Sequence, residues 1–134
     1  MRLIPEIDKE KTLDNVDDFL SNYDRYCRLA GSSAQKLTAS LSGMPGEGKT
    51  NNSSQDTFMR AVKFKDIVIS IHQALDNLGV EEKEIIDRKY LKGDLDYWIY
   101  KSLNISRATF YRRLDKARLD FAEAYRSGEL WVYK

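Results

Sequence analysis

The stretch that decides the fold is residues 95–118, LDYWIYKSLNISRATFYRRLDKAR. It holds two short apolar patterns of helical period separated by Asn104-Ile105, and Ser106 stands where a helix N-cap belongs. The first pattern predicts a short helix over 96–103, with Asp94 or Asp96 as cap and Trp98, Ile99 and Leu103 facing inward. The second predicts a longer helix from Arg107 to about Arg126. Its buried stripe is Phe110, Leu114, Ala117 and Phe121, extended by Tyr125, with Gly128 as stop. A short helix, a tight turn plugged by Ile105 and a Ser-capped helix make a helix–turn–helix, placed at 95–119.

The rest of the chain reads in the same period. Residues 12–30 carry Leu13, Val16, Leu20, Tyr23 and Cys27 on one stripe, with Thr12 as cap and Gly31 as stop. Residues 58–78 carry Phe64, Ile67, Val68, Ile71, Leu75 and Leu78, capped by Ser54 or Asp56 and ended by Gly79. Residues 81–91 form a short helix with an acidic first turn, which suits the positive end of the helix dipole. The tail Leu130-Trp131-Val132-Tyr133 is apolar and short, and is expected to fold back as an extended segment. No strand-type alternation recurs, so the fold class is all-α, a helical bundle. The expected organisation is an N-terminal amphipathic helix at 1–30, a polar linker rich in Ser, Gly and Asn at 31–57, and a helical domain at 58–134.

Composition narrows the class. The chain has 134 residues, 22 Lys+Arg against 21 Asp+Glu, and 42% apolar residues, the profile of an ordinary soluble domain. No apolar run reaches the roughly 18 residues of a membrane span, and MRLIPEIDKEK shows no signal-type apolar core. A cytoplasmic protein with no membrane partner is the expectation. One Cys27 and one His72 exclude an internal disulfide and a multi-ligand Cys/His metal site. No acid–base or nucleophile constellation stands out, so no catalytic residue, cofactor or metal is assigned and the chain is not read as an enzyme. Residues 43–50, GMPGEGKT, match the phosphate-loop pattern, but no apolar strand precedes them and no apolar helical face follows.

The net charge of +1 conceals an asymmetry. Segments 1–30 and 81–100 each carry −2, whereas 101–134 carries +4. Within 101–118 six basic residues face one acid, Asp115. Local field decides anion binding, so the partner expected from this segment is double-stranded DNA. On the N-terminal, outward side of the second helix, Arg107, Ala108, Thr109, Tyr111 and Arg112 are the expected base contacts, since a recognition helix meets base edges there. Arginine can bond guanine O6 and N7 together. Lys101, Ser106, Arg113, Lys116 and Arg118 are the expected phosphate contacts.

Residues 71–119 also resemble region four of bacterial sigma factors, through Glu84 to Tyr90-Leu91, Gly93, Ile99, the Ile105-Ser106 turn and Ala117. The whole chain is similar to the ArpU family of phage and prophage regulators. The similarity lies in the opening IPEIDKEKTLDNVDDFLSNYDRYCRLAG, the central GMP, and ISRATFYRRLDKA followed by FAEAY. The resemblance implies a sequence-specific transcription regulator of late phage or autolysin-type genes, with RNA polymerase as a second partner. It places sigma-type base readers on Arg107, Ala108, Tyr111 and Arg112. Ala108 departs from the acid often found there, so the recognised sequence should differ. The alternative is a sigma-like module that binds polymerase or another phage protein without reading DNA. A homodimer is left open.

Overall fold

The computed structural model describes residues 3–31 and 52–134 of the chain. Helices make up nearly all of it: α1 (Lys9–Leu20), α2 (residues 23–31), α3 (Asn52–Asp76), α4 (Val80–Ile86), α5 (Asp96–Ser102) and α6 (Arg107–Ala124). α4 runs on into a π-helical turn at Asp87–Leu91, and α6 into a 3-10 turn at Tyr125–Ser127. Among the described residues the sole β-type pairing is one antiparallel bridge, Ile7 to Tyr133. The all-α class expected from the absence of alternation is what the structure has.

Two compact units divide the chain, one of residues 1–22 with 70–134, the other of residues 23–69. In the first, α1, α4 and α5 all pack against α6. Its core is Val16 and Leu20 of α1, Ile71 and Leu75 of α3, Ile85 and Ile86 of α4, Ile99 of α5, and Phe110, Leu114 and Phe121 of α6. These are the apolar stripes of the sequence turned inward, and their burial is the main force holding the unit together. In the second unit, α2 and the first part of α3 meet through Tyr26 stacked on Phe64, ring centroids 5.9 Å apart.

Several boundaries differ from expectation. The helix expected over 12–30 breaks at Ser21-Asn22, because the Asn22 side-chain amide takes the Asp18 carbonyl at 3.0 Å, competing with the backbone ladder. It also starts earlier. Asp8, not Thr12, is the N-cap, its carboxylate accepting from the Lys11 N–H at 3.1 Å. Thr12 is buried and serves the tail instead: its hydroxyl oxygen accepts the Val132 N–H at 3.0 Å. Together with Asp8 N–H to the Val132 carbonyl (2.7 Å) and Asn15 Nδ2 to the Leu130 carbonyl (2.9 Å), this straps the extended tail along α1. α3 begins at Asn52, inside the span expected to be linker. The remainder of that span and GMPGEGKT lie outside the described residues, apart from Gly31.

Trp98, expected in the core, is 60% exposed. α5 is only two turns long, and Ile99 fills the inward position while Tyr100 packs its ring on Phe110 at 5.7 Å. Trp98, one residue before Ile99 and so about a quarter-turn round, faces out. Neither Asp94 nor Asp96 caps α5; the cap position is Leu95 with no side-chain bond. Both acids accept from cations of the preceding turn instead, Asp94 from Arg88 Nε at 3.0 Å and Asp96 from Lys89 Nζ at 2.8 Å.

Candidate nucleic-acid interface

The turn between α5 and α6 is a helix stop followed by a helix start. Asn104 adopts φ 58°, a left-handed conformation that Asn tolerates better than most residues. Ile105 N–H then bonds the Tyr100 carbonyl and Asn104 N–H the Lys101 carbonyl, both at 3.1 Å. This 6→1 and 5→2 pair is the Schellman arrangement, with Asn in place of the usual Gly. Two residues later Ser106 caps α6 as expected, its Oγ accepting from the Thr109 N–H at 3.1 Å. Both helix ends are thus satisfied within four residues, which defines the path of the turn.

Phe110, Leu114 and Ala117 point into the core, so the opposite face of the first two turns of α6 is open. Arg107, Ala108, Tyr111 and Arg112 are exposed there and Thr109 is half-buried. The Arg107 guanidinium lies over the Tyr111 ring, 5.6 Å from its centroid. Arg112 donates to Thr109 Oγ1 at 3.1 Å, which also accepts the Ser106 hydroxyl at 2.9 Å. The Tyr111 hydroxyl donates to Asp96 at 3.0 Å. On α5, Lys101 sits over the Tyr97 ring at 5.4 Å. The structure brings Arg107, Thr109, Tyr111 and Arg112 into one contiguous group.

The six basic residues of 101–118 divide in two. Lys101, at the end of α5, and Arg107 and Arg112, at the start of α6, have no ion pair among the described residues. Arg113, Lys116 and Arg118 are paired. Arg113 bonds Glu81, and Lys116 bonds Asp120 at 2.7 Å with Glu82 at 3.9 Å. The hydrogen bond to Asp120 holds the Lys116 ammonium above the usual lysine pKa. Both pairs are exposed, so a phosphate can replace the carboxylate at small cost.

Arg118 is different. Its side chain is 17% exposed and bonds the Tyr90 hydroxyl at 2.8 Å, Asp17 at 3.2 Å and Asp115 at 3.3 Å. Tyr90 in turn donates to Asp17 at 2.6 Å. This network joins α1, the π-helical turn and α6, and it leaves Arg118 committed to partners within the chain. Burial first, then the bond to Asp17, pushes the Tyr90 phenol well above its ordinary value.

Sequence reasoning missed Asp96 and Asp17 as partners of this surface, since neither pairing shows in a local period: the contacts span 15 and 101 residues. It also missed that Leu95, Tyr97 and Trp98 are exposed at the start of α5. No group of three or more His, Cys, Asp or Glu that could hold a metal occurs among the described residues, and none of their helices is long and apolar enough to cross a membrane.

Two relatives align over essentially the whole chain. One, from Enterococcus hirae, carries the name "Putative autolysin regulatory protein ArpU" and is 28% identical over 137 residues, covering 100% of both chains. The other, from Streptococcus phage O1205, carries the same name and is 31% identical over 135 residues, covering 97% of this chain and 98% of its own. The chain belongs to the ArpU family. The ArpU relatives match it at full length, so the shared sequence includes α5, the turn, α6 and most or all of the strapped tail. Both ArpU proteins are named as regulators. No family model and no solved structure matches the chain.

Proposed function

We propose that this ArpU-family chain is a sequence-specific DNA-binding transcription regulator that places the start of α6 in the major groove. The observation that carries the reading is the pair of cations without an ion pair among the described residues, Arg107 and Arg112, on the open face of a Ser-capped helix, with Lys101 on α5 before the turn. Recognition helices offer their N-terminal residues to base edges, and a helix N-terminus itself attracts phosphate. Arg107, Ala108, Thr109, Tyr111 and Arg112 meet the bases. Lys101, Ser106, Arg113 and Lys116 hold phosphates, the last two by exchanging their carboxylates. Arg118 is assigned to the fold. The regulated genes, on the names of the relatives, are of the autolysin or phage type.

The test is selection from a random duplex library, followed by fluorescence anisotropy on the enriched site. Arg112→Ala should weaken that site by about 1–3 kcal/mol and relax discrimination at one position. Lys116→Ala should weaken all sequences alike and flatten the salt dependence. A wild-type protein that enriches no sequence refutes the proposal. A second reading, docking onto RNA polymerase or another protein without reading DNA, is favoured by the exposed Leu95, Tyr97 and Trp98 at the start of α5. Binding to polymerase lost in Trp98→Ala, with no DNA enrichment, would support it.

A further inference from the structure

Asp96 fixes which way the Tyr111 hydroxyl can read a base. A phenol has one proton to give and lone pairs to receive. In this structure the proton points at Asp96 Oδ2, 3.0 Å away. Asp96 is itself ion-paired through its other oxygen to Lys89 Nζ at 2.8 Å, so it is a carboxylate, an acceptor with no proton to offer in exchange. Phe110 is in edge contact with the ring at 5.1 Å, and the Arg107 guanidinium lies over it at 5.6 Å. A side chain so braced keeps its rotamer, and its oxygen presents only lone pairs outward.

We infer that Tyr111 is a hydrogen-bond acceptor in the interface and that Asp96 is the positioning residue that makes it one, so that the base opposite Tyr111 is an amino base, adenine or cytosine. The inference rests on the DNA-reading proposal above and names a specificity within it. In the major groove, adenine N6 and cytosine N4 carry amino donors, whereas guanine O6 and N7 and thymine O4 only accept. An outward lone pair therefore meets adenine or cytosine favourably and faces another lone pair at guanine or thymine. The neighbouring Arg107 and Arg112 are donors only, so the reading surface carries both polarities side by side.

The experiment is library selection with the full chain as wild type, Tyr111→Phe, Asp96→Ala and Asp96→Asn, with far-UV circular dichroism to check that each is folded. Tyr111→Phe identifies the position that Tyr111 reads, as the one where base preference flattens. The wild type should prefer adenine or cytosine there by about fivefold, the worth of one neutral hydrogen bond. Asp96→Ala frees the proton, and guanine or thymine should then be accepted at that position alone. Asp96→Asn keeps a carbonyl acceptor and should retain the wild-type preference, which a merely structural role for the charge would not do. A wild-type preference for guanine or thymine at that position, or an unchanged preference in Asp96→Ala, overturns the inference while leaving DNA reading intact. No enriched sequence with the wild type overturns the DNA reading and the inference together.

Discussion

Arg118→Met separates a residue of the fold from a residue of the interface. Methionine keeps most of the stem's apolar packing and removes only the guanidinium. Three contacts go with it. The bond to the buried Tyr90 hydroxyl at 2.8 Å is charge-assisted and is the largest loss, about 1.5–3 kcal/mol. The bond to Asp17 at 3.2 Å reaches a carboxylate that is half exposed, so water replaces much of it. The i,i+3 pair with Asp115 is exposed on the acid's side and adds only about 0.3 kcal/mol. Tyr90 keeps its donation to Asp17, so no hydroxyl is orphaned. The expected loss is about 2 kcal/mol. With a urea slope of about 1.5 kcal/mol/M, the midpoint should fall by about 1.3 M at unchanged slope. Urea unfolding followed by tryptophan fluorescence measures it. In the same preparation, DNA affinity under native conditions and its salt slope should match the wild type. An unchanged midpoint with a weakened, less salt-dependent DNA complex would mean that Arg118 serves phosphate and that the network is incidental.

Three further outcomes follow from the packing. Because burial raises the Tyr90 phenol in the folded state, the unfolded chain ionises first; the stability this gives is complete below the ordinary phenol value near 10 and declines as pH rises above it. Tyr90→Phe should therefore lose less stability than the wild type between pH 9.5 and about 11, and parallel curves would contradict this. Thr12→Val preserves shape but leaves the Val132 N–H without its acceptor, so it should cost about 1–2 kcal/mol in chemical unfolding and raise exchange at that amide by a comparable factor; full protection at Val132 would count against the strap. Gly128→Ala meets two obstacles, a φ of +90° and a Cβ 2.5 Å from Trp131 Cε3, and should lose at least about 1–2 kcal/mol with a shift in Trp131 emission. An unshifted spectrum would argue that the Trp131 ring is not seated against that glycine.

The parts of this molecule legible in its sequence are those in which side-chain period decides the outcome. Leu114, Ala117 and Phe121 announce a buried face by spacing alone, and Ser106 announces a helix start, because both depend on neighbours a few residues away. The reading weakened where a residue had two competing uses. Thr12 suits a cap by type, yet Asp8 lies one turn earlier and Thr12 is buried against a tail 120 residues distant. Trp98 suits a core by type, yet Ile99 takes the single inward place that a two-turn helix offers. At the candidate interface, counting charges finds the basic segment but cannot divide it. Which cations are free is set by Glu81, Asp120 and Asp17, all from outside the helix–turn–helix or beyond its first turns.

The strap that lays Leu130 to Tyr133 along α1 has a consequence for how the protein is made. Its side-chain hydrogen bonds join residues 115 and 120 positions apart, so none can form until residues 130 to 132 have left the ribosome. Contacts so distant in sequence carry a large loop-closure cost and form late. Early in synthesis α1 has an apolar face and no helix to lay it on, because α6, its main support, is translated after α3, α4 and α5. A stalled or truncated product therefore displays Val16 and Leu20 to solvent, which marks it for chaperones and proteases. Only a chain read through residue 132 closes the strap on the unit that bears α6.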